Sequence, residues 1–139
     1  MSENTQIAAL PFIFVNDEIE ICLISSRRTG RWVIPKGWAK ENVDHSSHAA
    51  TEAYEEAGII GKIYAAPSAS YSYTKKLHTF ATVQCLVDIY LLEVTSQNLK
   101  WPEQSRRERR WVIPSLASAL VEEKELAEIL ANAKNLIHQ

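Results

Sequence analysis

Residues 37–59 place a glycine loop directly before a stretch with helical periodicity, and they constrain the fold more than any other part of the chain. Glu52, Glu55 and Glu56 recur there at spacings of three and four residues. Residues so spaced lie one above the other on a helix, with Cβ atoms about 5–6 Å apart. We therefore expect three carboxylates on one exposed stripe. Oxygen ligands of this kind suit Mg2+ or Mn2+, which commonly complete their coordination with substrate phosphates.

Length and charge set limits on the class of protein. The 139 residues suit a single domain spanning 1–139. With 15 basic and 17 acidic side chains, the net charge of -2 gives no overall attraction to nucleic acid or membrane. We expect a small phosphorylated molecule as the partner, without nucleic acid or membrane. Because the chain starts without a basic leader and has no membrane-length apolar run, a cytoplasmic protein is expected.

Hydrophobic patterning predicts an α/β fold with a mixed β-sheet sandwiched between α-helices. Predicted strands cover residues 6–15, 18–25, 31–34, 62–74, 79–94 and 109–113. Pro11 favours an edge or bulged position for the first strand. Ser46 or Ser47 is expected to cap the helix that carries the three acids, and Gly58 to end it. A short helix should start at Pro114, and residues 122–139 should form an amphipathic terminal helix.

The order and spacing of a set of residues resemble the Nudix box, whose pattern is G x5 E x7 R E U x E E x G U, with U aliphatic. The matching residues are Gly37, Glu52, Ala53, Glu55, Glu56, Gly58 and Ile59. The flanking sequences RRTGRWVIPKGW and WPEQSRRERRWV are most similar to the diphosphoinositol polyphosphate phosphohydrolase branch. This likeness extends over about residues 20–114 and implies the Nudix fold.

Two positions depart from the box. Val43 stands where the first glutamate belongs, and Thr51 where the arginine belongs. In the family these two residues are thought to buttress the loop against the helix as a charge pair. Losing both avoids an unpaired buried charge, and Val43 could then pack against the Thr51 methyl group. Two outcomes remain open: a rebuilt, active site, or a weakened module that binds a phosphorylated ligand or a protein partner.

The resemblance implies a hydrolase that cleaves a pyrophosphate bond in a nucleoside- or inositol-diphosphate-type substrate, with diphosphoinositol or dinucleoside polyphosphates favoured. It assigns Mg2+ or Mn2+ to the Gly37 carbonyl and to the carboxylates of Glu52 and Glu56. Glu55 would share a second metal ion or orient water. The chemistry needs no Ser/His/Asp or Cys/His nucleophile, because positioning and charge neutralisation carry most of it.

The candidate catalytic acids are Glu52, Glu55 and Glu103, with Glu55 preferred over Glu103 as general base. Glu103 precedes the last predicted strand, in a polar stretch that could fold over the site or remain solvated. His48 is expected to be a solvated helix residue. Candidate phosphate-binding side chains are Lys36, Arg27, Arg28 and Arg31, with a second arginine cluster at residues 106–110. Oligomeric state has no signature in the sequence.

Overall fold

The computed structural model describes residues 4–138 and contains one mixed sheet with helices on both faces. The strands in chain order are β1 (Thr5–Val15), β2 (Glu18–Ser25), β3 (Trp32–Val33), β4 (Lys36–Trp38), β5 (Ile59–Ile63), β6 (Ala69–His78), β7 (Ala81–Gln97) and β8 (Arg109–Val112). The helices are α1 (His45–Ala57), α2 (Pro114–Leu120), α3 (Lys124–Ala131) and α4 (Ala133–Ile137). No helix in this described range has the length and apolar character needed to cross a bilayer.

Strand pairing makes the sheet mixed. The main path is β3-β2-β1-β7-β5, while β4 pairs with β1, β6 with β7 and β8 with β2. β1 runs parallel to β7, and the remaining pairs are antiparallel. The predicted α/β class, with a mixed sheet between helices, is confirmed.

Each face of the sheet buries its own apolar cluster. On one face, Ala49, Ala53 and Ala57 of α1 pack among strand residues of β1, β2 and β7. On the other, α2, α3 and α4 contribute buried residues that include Leu126 and Leu130. Since alanine side chains are short, α1 lies close to the sheet. This close packing brings the adjacent side of α1, which carries Glu52 and Glu56, beside β4, where Gly37 lies.

The edge or bulged position expected from Pro11 is wrong, because β1 is a central strand. Pro11 is buried, and it falls between the two antiparallel partners of β1. Residues 6–8 pair with β4, and residues 12–15 pair with β2. A residue without an N–H donor is tolerated where a strand changes partners in this way.

The start of α1 also differs from the expectation. Its N-cap is Asp44, whose Oδ2 accepts the backbone N–H of Ser47 at 3.0 Å. The hydroxyls of Ser46 and Ser47 donate to the same oxygen at 2.7 and 2.9 Å, so the predicted serine cap is wrong. An ionised carboxylate is an acceptor with about four lone-pair sites, whereas a serine hydroxyl has two, so Asp44 accommodates all three donors. Gly58 ends the helix as expected, with φ at 68°.

The terminal helix expected over residues 122–139 is broken. α3 ends before Asn132, α4 begins at Ala133, and Gln139 lies outside the described residues. The Asn132 side chain donates to the Glu128 carbonyl at 2.9 Å, a local bond that competes with continued helix. After the break Ile137 is buried, whereas Leu136, expected to face inward, is only half-buried.

Candidate active site

The Glu52 carboxylate lies between Gly37 of β4 and His48, which is near the start of α1. A Cβ atom added to Gly37 would lie 2.5 Å from Glu52 Oε1, so the carboxylate occupies space that only glycine leaves open. His48 Nε2 lies 3.2 Å from the same oxygen. The solvated position expected for His48 is wrong, because only 4 % of it is exposed. Gly37 lies in strand β4 and not in the loop that the sequence suggested, so a strand glycine and the helix spacing of four residues fix one carboxylate from two sides.

Glu56 is the buried acid of the site, with 6 % of its surface exposed. Its Oε1 accepts the backbone N–H of Lys36 at 3.3 Å, and its Oε2 lies 3.5 Å from Arg107 Nη2. Burial raises the Glu56 pKa to about 8, against the opposing charge of Arg107, while a hydrogen bond with Glu52 adds to the rise. A pKa of about 8 keeps Glu56 protonated at neutral pH. A divalent cation could take that proton's place, since both donors are oxygens.

The three acids do not form one compact group. Within residues 4–138, no three Asp, Glu, His or Cys side chains are arranged closely enough to hold a metal ion. Glu52 and Glu56 are the pair held in hydrogen-bond contact. Glu55 is half-buried, and its backbone carbonyl accepts the N–H of Glu103 at 3.0 Å. The described carboxylates thus offer two preorganised ligands beside Gly37.

The connection between β7 and β8 folds over the C-terminal end of α1. Four hydrogen bonds hold it there, from Asn98 N to Gly58 O, Trp101 Nε1 to Glu56 O, Glu103 N to Glu55 O and Arg109 Nη1 to Ala57 O. All four are 2.8 to 3.0 Å long. They satisfy carbonyls that a helix terminus leaves free. The cover explains why Glu56 is buried, which makes the expected fully exposed stripe wrong.

Arg107 links the acids across this connection. Its Nε donates to Glu103 Oε1 at 2.8 Å, and its Nη1 donates to the Ser25 carbonyl at 3.1 Å. With Nη2 beside Glu56, the guanidinium joins three segments of the fold while its side chain stays only 9 % exposed. The sequence placed Arg107 in a candidate phosphate-binding cluster of arginines, and no local spacing distinguished it from the others.

The predicted phosphate-binding side chains separate into two groups. Lys36 is half-buried with Nζ 5.6 Å from the Tyr73 ring centre, and burial lowers its pKa against the opposing charges of Glu123 and Glu56. Arg27 Nε lies 3.8 Å from Glu103, while Arg28 is exposed. Arg31 instead donates to Glu122 at 2.9 Å, just before α3. The backbone of Lys36 and the side chain of Arg27 therefore contact acids of the site, whereas Arg31 is engaged elsewhere.

An open groove of about 660 Å³ runs along the outer side of the β7–β8 connection. Its walls include Trp32, Trp101, Arg107, Arg109 and Arg110. The Arg109 guanidinium lies 4.2 Å from the centre of Trp101, and that of Arg110 lies 5.7 Å from Trp32. Because Arg107 also touches the buried acids, the groove adjoins the candidate active site.

Comparison with curated proteins finds hydrolases over most of the chain. Nudix hydrolase 12, mitochondrial, of Arabidopsis thaliana is 33 % identical over 103 residues, which cover 71 % of this chain and 50 % of that protein. Diphosphoinositol polyphosphate phosphohydrolase 2 of Rattus norvegicus is 30 % identical over 97 residues, covering 68 % of this chain and 50 % of that protein. The chain spans about half the length of these relatives. No family model matches it.

Solved structures share the fold over nearly the whole chain. A C. elegans Ap4A hydrolase binary complex has a TM-score of 0.71 at 16 % identity, covering 96 % of this chain and 97 % of that one. The NUDIX domain of Shewanella oneidensis NrtR complexed with ADP ribose has a TM-score of 0.70 at 12 % identity, covering 99 % and 90 %. At such identities the likeness establishes the fold alone.

The fold and the site place this chain in a class of α/β proteins. In this class a strand that contains a glycine lies beside two carboxylates of an adjacent helix. The sequence relatives and the shared fold then identify the family within that class. The chain belongs to the Nudix family, and its relatives include a diphosphoinositol polyphosphate phosphohydrolase. The expected resemblance is confirmed.

Proposed function

We propose that this protein is a Mg2+- or Mn2+-dependent hydrolase that cleaves a pyrophosphate bond in a small phosphorylated substrate. The observation that carries the proposal is the pair of acids at β4: Glu52 lies against the open face of Gly37, and Glu56 accepts the backbone N–H of Lys36. A carboxyl group that holds a proton beside a second acid can exchange that proton for a cation. The names of the curated relatives, all hydrolases, support the same reaction class.

The residues that would hold the metal ion are Glu52, Glu56 and the Gly37 carbonyl. When bound, a divalent ion supplies charge neutralisation at the diphosphate and activation of water. This chain's own part is to keep the two carboxylates adjacent and to shield them beneath the β7–β8 connection. Lys36 would bind a phosphate oxygen from the β4 side, because its backbone N–H donates to Glu56 Oε1 and so places the residue beside the acids.

Glu55 and Glu103 are the two candidate general bases. A base must lie within reach of the water whose proton it accepts. Glu103 is 2.8 Å from Arg107, which in turn touches Glu56, and this chain of contacts supports Glu103. For Glu55 the support is its place on α1, between the two proposed metal ligands.

Charge pairing favours a substrate with few phosphates. Arg27 faces Glu103, Arg31 donates to Glu122, and Arg107 is shared between Glu103 and Glu56. Arginines already neutralised by acids offer little to a ring carrying many phosphates. A nucleoside diphosphate derivative or a dinucleoside polyphosphate therefore suits the site better than a diphosphoinositol polyphosphate.

A substrate panel tests the proposal. ADP-ribose, diadenosine tetraphosphate and a diphosphoinositol polyphosphate are incubated with the protein in Mg2+ or Mn2+, and phosphate-containing products are separated by ion-exchange chromatography. We expect turnover of a nucleotide substrate, and its loss in Glu56→Gln. The matched control Glu108→Gln, an exposed acid at the end of the same connection, should retain turnover.

A second function is favoured by the two departures from the box. Val43 and Thr51 are both exposed, and the Thr51 hydroxyl donates to the Ser47 carbonyl at 3.0 Å. A protein without the usual ion pair could bind a phosphorylated ligand without cleaving it. Thermal stabilisation by a panel member, with no product from any of them, would establish this binding module and refute the hydrolase.

A further inference from the structure

The positions of the missing box ion pair carry no charged group. Val43 lies in the turn before α1, and Thr51 lies exposed on the helix. The Thr51 hydroxyl donates to the Ser47 carbonyl, one turn earlier. A charged group that braces the box acids has to come from another part of the fold.

Arg107 has a buried guanidinium that can brace the box acids. It comes from the connection before β8, far along the chain from the box, yet it contacts the box acid Glu56 at 3.5 Å. Its other nitrogens hold Glu103 at 2.8 Å and the Ser25 carbonyl at the end of β2 at 3.1 Å. A planar guanidinium with donors in a fixed fork can hold three acceptors in one geometry, which a lysine ammonium cannot match.

The surrounding contacts fix the position of the guanidinium. The backbone N–H of Glu103 donates to the carbonyl of Glu55, so the connection is attached to α1 on the acid side. Arg109 attaches the same connection again, through the carbonyls of Ala57 and Asn98 at 2.8 and 2.9 Å. Arg109 has no carboxylate among these partners. Arg109 therefore holds the connection through carbonyl groups, whereas Arg107 also contacts the carboxylates of Glu103 and Glu56.

We propose that Arg107 replaces the missing box ion pair and acts as the positioning residue that holds Glu103, as general base, beside the Glu52–Glu56 pair. This inference rests on the proposed hydrolase function. It selects the rebuilt, active site over the weakened module. It also selects Glu103 over Glu55 as the base, because Glu103 is the acid whose side chain Arg107 fixes.

A double-mutant cycle tests the inference with the full chain and whichever panel substrate it hydrolyses. The variants are Arg107→Met, Glu103→Gln and the two combined. We expect each single replacement to lower kcat about 100-fold, a usual contribution of a general base, with KM changed by no more than about threefold. The combined variant should be no slower than Glu103→Gln alone, because Arg107 acts through Glu103.

Arg109→Met is the matched control. It removes a second guanidinium that braces the same connection, so it should lower the midpoint of thermal unfolding, while its kcat should fall much less than that of Arg107→Met. Arg107→Lys keeps the charge and loses the fork, and it should still lower kcat at least about tenfold. If Arg107→Met does not fold, Arg107→Lys takes its place in the cycle.

The possible results separate this inference from the proposed function. A wild-type protein that hydrolyses no panel member overturns both. An active wild type overturns the inference alone if Arg107→Lys and Arg107→Met retain kcat, or if the effects of Arg107→Met and Glu103→Gln multiply. The inference is also overturned if Arg109→Met loses as much kcat as Arg107→Met, because bracing would then account for both.

Discussion

Replacing Glu56 with glutamine should stabilise the protein at pH 7 when divalent metal is removed by chelation. The Glu56 pKa is raised from 4.5 to about 8, chiefly by burial, against the opposing charge of Arg107 and with a further rise from Glu52. The folded protein then keeps a proton that the unfolded chain releases above about pH 4.5. Since the unfolded state binds fewer protons in this window, stability falls as pH rises toward 8.

The size of the effect follows from one proton. Between pH 5 and pH 7 the folded state holds about one more proton than the unfolded state, which corresponds to about 3 kcal/mol of lost stability. For a domain of this size that loss is roughly 10 °C in the unfolding midpoint. Glutamine has nearly the shape of the protonated carboxyl and does not titrate. Glu56→Gln should therefore unfold at nearly the same temperature as wild type at pH 5, and well above it at pH 7.

The assay is thermal unfolding followed by circular dichroism in EDTA at pH 5, 6, 7 and 8. The control Glu108→Gln removes an exposed carboxylate nearby and should reproduce the wild-type dependence on pH. Addition of Mn2+ at pH 8 should raise the midpoint of wild type, since a ligand that binds only the folded state stabilises it. The same addition should have little effect on Glu56→Gln.

An ionised Glu56 would give the opposite result. If the carboxylate forms a charged pair with Arg107, 3.5 Å away, then Glu56→Gln leaves a buried guanidinium with one partner fewer. Breaking such a pair costs about 3–5 kcal/mol. Destabilisation of Glu56→Gln at every pH, with an unchanged dependence on pH, would refute the protonation of Glu56 and the reasoning built on it.

Two further replacements test the surroundings of the acid pair. Gly37→Ala brings a Cβ within 2.5 Å of Glu52 Oε1 and should weaken Mn2+ binding, measured by calorimetry, about tenfold or more. In the control Gly61→Ala, the added Cβ meets the Glu93 carbonyl. This control should lower the unfolding midpoint without changing Mn2+ affinity. Equal Mn2+ affinity in both variants would contradict the role of Gly37. Lys36→Met should raise KM for the diphosphate substrate about tenfold, while Lys62→Met, at an exposed strand position, should leave KM unchanged.

Local pattern predicted much of the fold. The apolar runs located most of the strands, and Gly58 ended α1 at the expected residue. The errors arose where tertiary contacts decide. Pro11 suggested an edge, yet it lies at the one place in a central strand where the antiparallel partner changes. Asp44 outcompeted the two serines as N-cap because one carboxylate accepts all of their donors.

In the candidate site, too, local pattern predicted some features, and tertiary contacts decided the others. Helical spacing predicted that Glu52 and Glu56 lie together, because helix geometry fixes their separation. Gly37 was expected near them in a loop, and it lies beside Glu52 in strand β4. Burial of Glu56 and of His48 was not predictable from spacing. It depends on the sheet and on a connection some 45 residues further on, whose Trp101 donates to the Glu56 carbonyl.

The box departures show why a motif is judged best by its contacts. A pair of residues that braces a loop can be lost at Val43 and Thr51 without leaving an unpaired charge, provided another group holds the remaining acids. Arg107 can supply that hold because the connection before β8 is attached to α1 by backbone bonds independent of either box position. The site would then depend on a contact between segments, and replacements at Arg107 should cost more activity than any change at Val43 or Thr51.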